Sequence, residues 1–328
     1  MLLLPKPGVI LDLSERTMIE LAGPDRKRYL QGQITNDLDR LETEPIIEAC
    51  LCNAKGKLEA HVYIREVTLQ KRVRPLGSHD FVHQSETAYL IDAHHDFSLD
   101  DLLLNRLDKY LIADDCKLRD VSANYQLHHI IGDDFTPVDK IAPIRRFGPI
   151  GGDILTSMHS SIYFDQAMTS EADLEPLRIA HGFPAWGKEL TADILPPEAG
   201  PSFIERNISY TKGCYIGQET ISRLKSVGRV RKQLVALSSL APSTEALPTP
   251  GWDLFPETDP TSKPVGTITS TAKHPDLNTT IALAYVKSNQ IAPNTRLIAA
   301  PPKADPQNSP CETVEIRETP MRSIDNIH

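Results

Sequence analysis

Apolar and polar residues follow a strand-like pattern near the N-terminus. Apolar residues dominate residues 46–52 and occupy alternate positions of residues 58–65, as expected for strands with one buried face. The turn-forming segment 53–57 separates them, which predicts a β-hairpin. Before the hairpin, a proline entry at Pro24 and a glycine after residues 26–30 predict a short helix.

Two further segments carry helical signals. Leucines recur at helical spacing in residues 99–113, and Ser98 with Asp101 has the spacing of a capping box at the start of that helix. A second helix is predicted over residues 171–180, because Gly182 follows it. Mixed with short apolar runs and Gly/Pro breaks, these helices predict an α+β fold.

The pattern changes to short strands after Arg229, which predicts a small antiparallel β-barrel at the C-terminal end. The strand candidates are residues 233–240, 265–270, 281–286, 296–299 and 313–316.

This change of pattern also divides the chain. We predict an α+β region of two interleaved subdomains over residues 1–229, a barrel over 230–318 and a flexible tail over 319–328. Residues 71–85 and 244–261 are predicted to be loops because they are polar or rich in proline.

Composition narrows the class of protein. The 328 residues carry a formal net charge of −9, which argues against a protein that coats nucleic acid through its overall field. The five cysteines do not have the spacing of a disulfide scaffold, which favours a reducing cytosol. No export signal and no apolar run long enough to span a membrane is apparent, so we expect a cytoplasmic protein without a membrane partner.

The segment with the strongest chemical signal is Lys212-Gly213-Cys214-Tyr215-Ile216-Gly217-Gln218-Glu219, which places a thiol between glycines, a cation, an amide and a carboxylate. A nearby cation lowers the pKa of a thiol, so Lys212 and Arg223 are candidates to activate Cys214 as a nucleophile or soft ligand. The residue types alone also allow Cys214 to be a small buried residue beside a tight turn.

This segment resembles the KGCYxGQE signature of the YgfZ family, folate-binding proteins related to the aminomethyltransferase (T-protein) of the glycine cleavage system. The resemblance extends over most of the chain. It includes Gln31 to Asp37, Cys52 to Lys57, Leu177 to Ile179, Pro197 to Gly200 and the barrel strands. It implies a T-protein-like fold with a C-terminal antiparallel β-barrel around a folate-sized cavity.

The resemblance assigns Asp37 to the position of an aspartate that supports one-carbon transfer in the transferases. Chemically, a partly buried carboxylate can hold a protonated amine or stabilise an iminium, although Asp37 could equally cap the turn after Gly32. The transferases place a pterin-binding glutamate where this chain has Ala180. An alanine methyl accepts no hydrogen bond, so the pterin contact would need Glu198 or Glu219.

A basic cluster follows the signature segment and comprises Arg223, Lys225, Arg229, Arg231 and Lys232. It could bind the glutamate tail of folate, contact tRNA phosphates or form a solvated strand edge. Its position after the signature favours anion binding. No metal site is predicted, because Cys50 and Cys52 have no second cysteine pair at zinc-binding spacing.

The candidate site therefore has two groups. Cys214 and Asp37 are the candidate catalytic residues. The candidate residues for binding tetrahydrofolate or a one-carbon derivative are Lys212, Gly213, Tyr215, Gly217, Gln218, Glu219, Arg223, Glu198 and Arg229.

The resemblance implies an accessory protein that binds tetrahydrofolate and supports iron–sulfur enzymes, including the radical enzymes that thiolate tRNA. Two alternatives stay open: an aminomethyltransferase that acts on tetrahydrofolate, and a folate-independent scaffold that contacts RNA. Whether the protein turns over a substrate is left undecided by the residues.

Overall fold

The computed structural model describes residues 8–73, 82–94, 102–132, 141–149, 151–158, 160, 168–226, 228–240, 248–304, 306 and 311–319. The predicted capping box of Ser98 with Asp101 lies outside the described residues, as does the predicted tail from residue 320 onward.

Contacts divide the chain into two compact units, and neither is continuous in sequence. The first unit comprises Met1–Ile144, Gly152–Ala167 and Glu205–Gln218. The second comprises Arg145–Gly151, Met168–Ile204 and Glu219–His328. The division at residue 230 stays a prediction, although the first barrel strand begins close to it, at Lys232.

The first unit contains two antiparallel sheets. Its strands are β1 (Val9–Asp12), β2 (Thr17–Ala22), β3 (Ile47–Cys52), β4 (Leu58–Val73), β5 (Val82–Ala93), β6 (Lys117–Asp120), β7 (Tyr125–Ile131), β8 (Ala142–Pro143) and β9 (Gly151–Ser157). One sheet has the order β3-β4-β5-β2-β6 and the other the order β1-β7-β9-β8.

Helices α1 (Arg26–Gln31) and α2 (Leu102–Asp108) also belong to the first unit. They contribute Leu30, Leu103 and Leu107 to the core of the five-stranded sheet. The burial of these leucines explains the helical spacing in the sequence.

The second unit is built around a closed antiparallel barrel. Its strands are β10 (Lys232–Ser239), β11 (Asp253–Pro256), β12 (Gly266–Lys273), β13 (Thr280–Lys287), β14 (Arg296–Ala300) and β15 (Glu312–Arg317), in the order β10-β13-β12-β11-β14-β15. Helix α3 (Glu175–Ala180) also lies in this unit. Helices α4 (Pro201–Asn207) and α5 (Gln218–Ser226) each cross from one unit's residues into the other's.

Several predicted elements are confirmed. The hairpin forms with Ala49 opposite Val62, the short helix forms as α1, and the barrel forms from the five predicted strands and one more. The second predicted helix is present as a 3₁₀ turn over Glu171–Leu174 followed by α3.

Three predicted boundaries are wrong. Strand β4 continues to Val73 and pairs with β5 from Val82, so residues 71–73 and 82–85 of the predicted loop belong to paired strands, because the long cross-strand ladder outweighs their polar composition. Strand β11 lies within the predicted loop 244–261, where Leu254 packs into the barrel core. Helix α2 ends at Asp108 rather than at residue 113. After Asp108 the backbone forms turns, in which the amides of Tyr110 and Leu111 donate to carbonyls three residues earlier.

Candidate functional site

Three segments that are distant in sequence meet in the first unit. The amide of Ser209 donates to the carbonyl of Thr35 at 2.9 Å, and the amide of Ile216 donates to the carbonyl of Gly32 at 3.2 Å. Gly217 lies against the turn of the β3–β4 hairpin. The signature loop, here residues 209–217, is thus fastened to residues 31–37 and to the hairpin turn.

Lys212 makes the tightest of these connections. Its side chain is buried, and the ammonium Nζ donates to the carbonyl oxygens of Gln31 at 2.6 Å, Ile34 at 2.8 Å and Asn36 at 2.8 Å. An ammonium has three N–H donors, so all of them are used. Burial lowers the pKa of Lys212 to about 8, opposed by the charge of Asp37, and the charged form therefore still predominates at neutral pH.

Tyr215 packs beside this lysine. The ammonium lies 5.1 Å from the centroid of the Tyr215 ring, which is cation–π range. The ring is buried, and burial raises the pKa of the Tyr215 hydroxyl. No described residue hydrogen-bonds to that buried hydroxyl.

The two glycines of the signature loop have different environments. Gly217 has a φ of +86°, and a Cβ there would lie 2.6 Å from the carbonyl oxygen of Asn53. Gly213 has open space around a built Cβ. Packing and backbone conformation therefore require glycine at 217, whereas at the exposed position 213 a side chain would meet no neighbouring atom.

Cys214 is an exposed free thiol in this loop. Because the ammonium of Lys212 already donates to three carbonyls, it has no N–H left for a thiolate at Cys214. The activation expected from sequence proximity thus has no support in the geometry of Lys212.

Asp37 is half-buried at the start of a 3₁₀ turn over Leu38–Glu42. Its Oδ1 accepts hydrogen bonds from Gln31 Nε2 at 2.7 Å and from the amide of Asp39 at 3.1 Å. Burial raises the pKa of Asp37, but these bonds and the charges of Lys212 and Lys27 outweigh it, so the pKa lies below its ordinary value. No described residue hydrogen-bonds to Oδ2, which leaves one carboxylate oxygen available.

The end of the signature continues into helix α5. Gln218 begins the helix. The exposed side chains of Glu219 and Arg223 form an ion pair at 3.0 Å, one helical turn apart. At 86% and 73% exposure, such a pair adds little stability.

Other candidate residues lie in the second unit. Glu198 is buried, and its Oε2 accepts from the amide of Leu195 at 3.0 Å, so it caps its own turn. Arg229 is exposed. Ala180 is buried at the end of α3. The neighbouring Arg178 is buried and bonds Glu189 Oε2 at 2.9 Å, which ties α3 into the unit.

No protein-family model matches the chain. Among curated proteins, an uncharacterized protein of Haemophilus influenzae is 26% identical over 294 residues, covering 86% of this chain and 89% of its own. The tRNA-modifying protein YgfZ of Yersinia pestis strain Pestoides F is 25% identical over 321 residues, covering 89% and 88%. The same protein of Colwellia psychrerythraea is 25% identical over 246 residues, covering 70% and 71%. The chain is related to the YgfZ proteins.

The fold of this YgfZ relative is also seen in a solved structure. The crystal structure of glycine cleavage system aminomethyltransferase T from Bartonella henselae matches with a TM-score of 0.69 and 14% identity, covering 97% of this chain and 87% of that one. The predicted T-protein-like fold is therefore confirmed, and at this identity the match concerns the fold alone.

Sequence reasoning missed a buried network that supports the site of this YgfZ relative. Glu48 Oε1 accepts from Arg206 Nε at 3.0 Å, and its Oε2 accepts from Asn207 Nδ2 at 3.1 Å. In turn, the carbonyl of Asn207 accepts from Thr35 Oγ1 at 2.6 Å. A glutamate within the otherwise apolar run 46–52 was the only signal in the sequence, because a buried charge needs partners.

Arg106 was missed as well. It is buried, and it donates to Gln33 Oε1 at 3.0 Å and to the carbonyl of Cys52 at 2.8 Å while also pairing with Glu59. It therefore braces the hairpin end against residues 31–37.

The described part of the chain contains no cluster of side chains suited to a metal ion. Cys50 and Cys52 are buried, and burial raises the pKa of both thiols, that of Cys52 to about 12. Among the described residues, no group of three or more His, Cys, Asp or Glu side chains could hold a metal ion. None of the described helices is long and apolar enough to cross a membrane.

Proposed function

We propose that this YgfZ relative binds tetrahydrofolate or a one-carbon derivative of it, and that it supports iron–sulfur enzymes, including radical enzymes that thiolate tRNA. The observation that carries the folate part is the carboxylate of Asp37. It is half-buried, its pKa is lowered, and only one of its oxygens has a hydrogen-bond partner among the described residues.

A reduced pterin ring fits this carboxylate. The ring presents N–H donors, and the available Oδ2 of Asp37 can accept one of them, while Gln31 and the amide of Asp39 hold Oδ1 in place. Bound tetrahydrofolate would supply a carrier for one-carbon units. The buried hydrogen bonds of Lys212, Glu48 and Arg106 would keep residues 31–37 in position without contacting the ligand.

The basic cluster supports an anion-binding role. Arg223, Lys225, Arg229 and Arg231 are exposed, so their charges are accessible to the carboxylates of a folate tail or to tRNA phosphates. If folate binding weakens when Arg223 and Arg229 are replaced by glutamine, the basic cluster binds the glutamate tail of folate. If salt-sensitive tRNA binding weakens instead, the basic cluster binds tRNA phosphates.

Isothermal titration with tetrahydrofolate, methylene-tetrahydrofolate and 5-formyl-tetrahydrofolate tests folate binding. Asp37→Asn can still accept from Gln31 and Asp39 through Oδ1, but it presents an N–H group where Oδ2 was. We expect affinity to fall about tenfold, the equivalent of about 1.4 kcal/mol. Asp39→Asn is the matched control, because Asp39 is exposed and contacts Asp37 only through its backbone amide. Equal affinity in both variants, or no binding at all, would refute the folate proposal.

Cys214 is the proposed link to the iron–sulfur enzymes. Because the thiol is exposed, Cys214→Ser should leave folding and folate affinity nearly intact while it impairs the activity of client enzymes in a deletion strain. Cys311→Ser is the control, since Cys311 is also an exposed free cysteine. Full complementation by Cys214→Ser would show that the sulfur is dispensable. Five free cysteines also suit the reducing cytosol in which we place the protein.

An aminomethyltransferase is the second candidate function, and the lowered pKa of Asp37 favours it. The buried methyl of Ala180 opposes it, because it offers no acceptor where the transferases have a glutamate. Production of methylene-tetrahydrofolate from an aminomethyl-lipoyl carrier would establish transfer. A folate-independent RNA scaffold would instead bind tRNA equally well after Asp37→Asn.

A further inference from the structure

Gln31 contacts the carboxylate of Asp37 through an amide group whose orientation is fixed. The backbone amide of Leu38 donates to Gln31 Oε1 at 3.0 Å, and Gln31 Nε2 donates to Asp37 Oδ1 at 2.7 Å. Because a backbone amide can only donate, the carbonyl oxygen of the Gln31 side chain must face Leu38 and its NH₂ group must face Asp37. Gln31 is therefore the donor in this contact, and Asp37 is the acceptor.

This direction decides which oxygen of Asp37 is left for a ligand. A second N–H, from the backbone of Asp39, donates to the same Oδ1 at 3.1 Å. A proton on Oδ1 would have to point at one of these two donors, so Oδ1 stays an acceptor. Any proton that Asp37 gains, and any hydrogen bond that it makes to a ligand, is left to Oδ2, which has no hydrogen-bond partner among the described residues.

The backbone beneath these side chains is fixed as well. Asn36 is buried, and its Nδ2 donates to one carbonyl of β3 and to one near the end of α4, each at 2.7 Å. Its Oδ1 accepts from the amide of Asp37 at 2.9 Å. The carbonyl of Gln31 accepts from the ammonium of Lys212 at 2.6 Å. Both partners of the contact between Gln31 and Asp37 are thus held by buried groups.

We propose that Gln31 is a positioning residue, which keeps Oδ2 of Asp37 as the one oxygen of this carboxylate that meets a ligand. The inference rests on the proposed function, in which an N–H of the pterin donates to Oδ2. It also orients the ligand, because a carboxylate oxygen attracts a donor or a positive charge and repels another anion. The pterin ring therefore lies on Asp37, and the glutamate tail of folate points away from it.

Gln31→Glu tests this role because it removes one donor and changes the shape of the side chain little. The introduced carboxylate can still accept from the amide of Leu38, but an oxygen now faces Oδ1 of Asp37. Two carboxylates this close do not both stay ionised, so they share one proton and the upper apparent pKa of the pair rises above the ordinary range. When the introduced side chain holds that proton, the donor to Oδ1 is restored.

Binding of 5-formyl-tetrahydrofolate to the full-length protein should follow this proton. Above the upper pKa of the pair, we expect Gln31→Glu to bind about tenfold more weakly than the unaltered protein. As the pH falls through that pKa, the affinity should return to that of the unaltered protein at the same pH. Gln31→Leu, which supplies neither a donor nor a charge, should bind about tenfold more weakly at every pH.

A measurement without ligand separates this inference from the proposed function. In protein with ¹³C-labelled aspartate carboxyl groups, the resonance of Asp37 is the one that Asp37→Asn removes. We expect this resonance to titrate at higher pH in Gln31→Glu than in the unaltered protein. Gln70→Glu is the matched control, because it adds the same charge at an exposed position of β4 and should change neither the titration nor the affinity. The expected titration without any binding of 5-formyl-tetrahydrofolate would reject the proposed function and still confirm that Gln31 controls Asp37.

Two results would overturn the inference. If Asp37 titrates alike in Gln31→Glu and in the unaltered protein, the two side chains do not share a proton and Gln31 does not set the state of Asp37. If Gln31→Glu and Gln31→Leu lose the same affinity at every pH, Gln31 supports the fold or contacts the ligand itself. The thermal transition of each variant at each pH shows whether it is folded.

Discussion

Replacement of Lys212 by methionine removes the ammonium that joins residues 31–37 to the signature loop. Methionine keeps an unbranched apolar stem of similar length, so packing is largely retained. Three hydrogen bonds to Gln31, Ile34 and Asn36 are lost, and their carbonyl oxygens lose that partner.

The expected cost follows from these bonds. A hydrogen bond to a charged group stabilises by about 1.5–3 kcal/mol, but the lysine also pays for its desolvation, which methionine avoids. A net value of about 1 kcal/mol per bond gives a loss of about 3 kcal/mol for Lys212→Met. That is a large part of a typical stability of about 5–15 kcal/mol.

Urea unfolding followed by far-ultraviolet circular dichroism measures this loss. Intrinsic fluorescence is less suitable, because Trp186 and Trp252 both lie in the second unit. The matched control is Lys55→Met in the exposed hairpin turn, which should cost less than about 0.5 kcal/mol. If both variants unfold at the same urea concentration, the three-carbonyl contact carries no net free energy and the reasoning fails.

Three further substitutions, with Gly213→Ala as the control for the first, test the site by the same unfolding measurement. Gly217→Ala should destabilise the protein by at least about 2 kcal/mol, because its Cβ would meet the Asn53 carbonyl at 2.6 Å and φ is +86°. Gly213→Ala should destabilise it by less than about 0.5 kcal/mol. Equal losses of stability would contradict the different roles given to the two glycines. Tyr215→Phe should stabilise by up to about 1 kcal/mol, since the buried hydroxyl has no described partner, and a loss of stability would reveal one. Burial raises the pKa of Glu48, but bonds to His61 and Asn207 and the charge of Arg206 lower it overall from 4.5. The stability that the ionised Glu48 contributes is then present above pH 4.5 and is lost as the pH falls through the lower pKa of Glu48 in the folded state. The loss of stability in Glu48→Gln should therefore be large at about pH 7 and smaller in acid. A loss that does not change with pH would exclude this coupling between Glu48 ionisation and folding.

Local patterns were sufficient for much of the fold. The alternation in residues 58–65 and the turn before it predicted the β3–β4 hairpin, and the short apolar runs after Arg229 predicted most of the barrel. Strand β11 was missed because only Leu254 and Phe255 are buried in it, and so short an apolar pair has no measurable period.

The site was less accessible to sequence reasoning, because its contacts join distant residues. The signature predicted that Lys212 and Gly217 matter, but nothing in local spacing indicates that the ammonium of Lys212 lies on the carbonyls of residues 31–36. Proximity in sequence suggested a contact between Lys212 and Cys214, whereas the geometry directs the lysine to α1 and the turn after it.

The contact between Lys212 and Gln31 spans 181 positions of sequence, and this separation affects how the protein emerges from the ribosome. At about 5–20 residues per second, roughly 10–35 s pass between synthesis of the two residues. During that interval the carbonyls of Gln31, Ile34 and Asn36 lack the ammonium of Lys212. Residues 168–204 of the second unit are also made before residues 205–218, the last segment of the first unit. Until residue 212 is made, the nascent first unit therefore lacks these three hydrogen bonds, and a chain that stops before residue 212 never forms them.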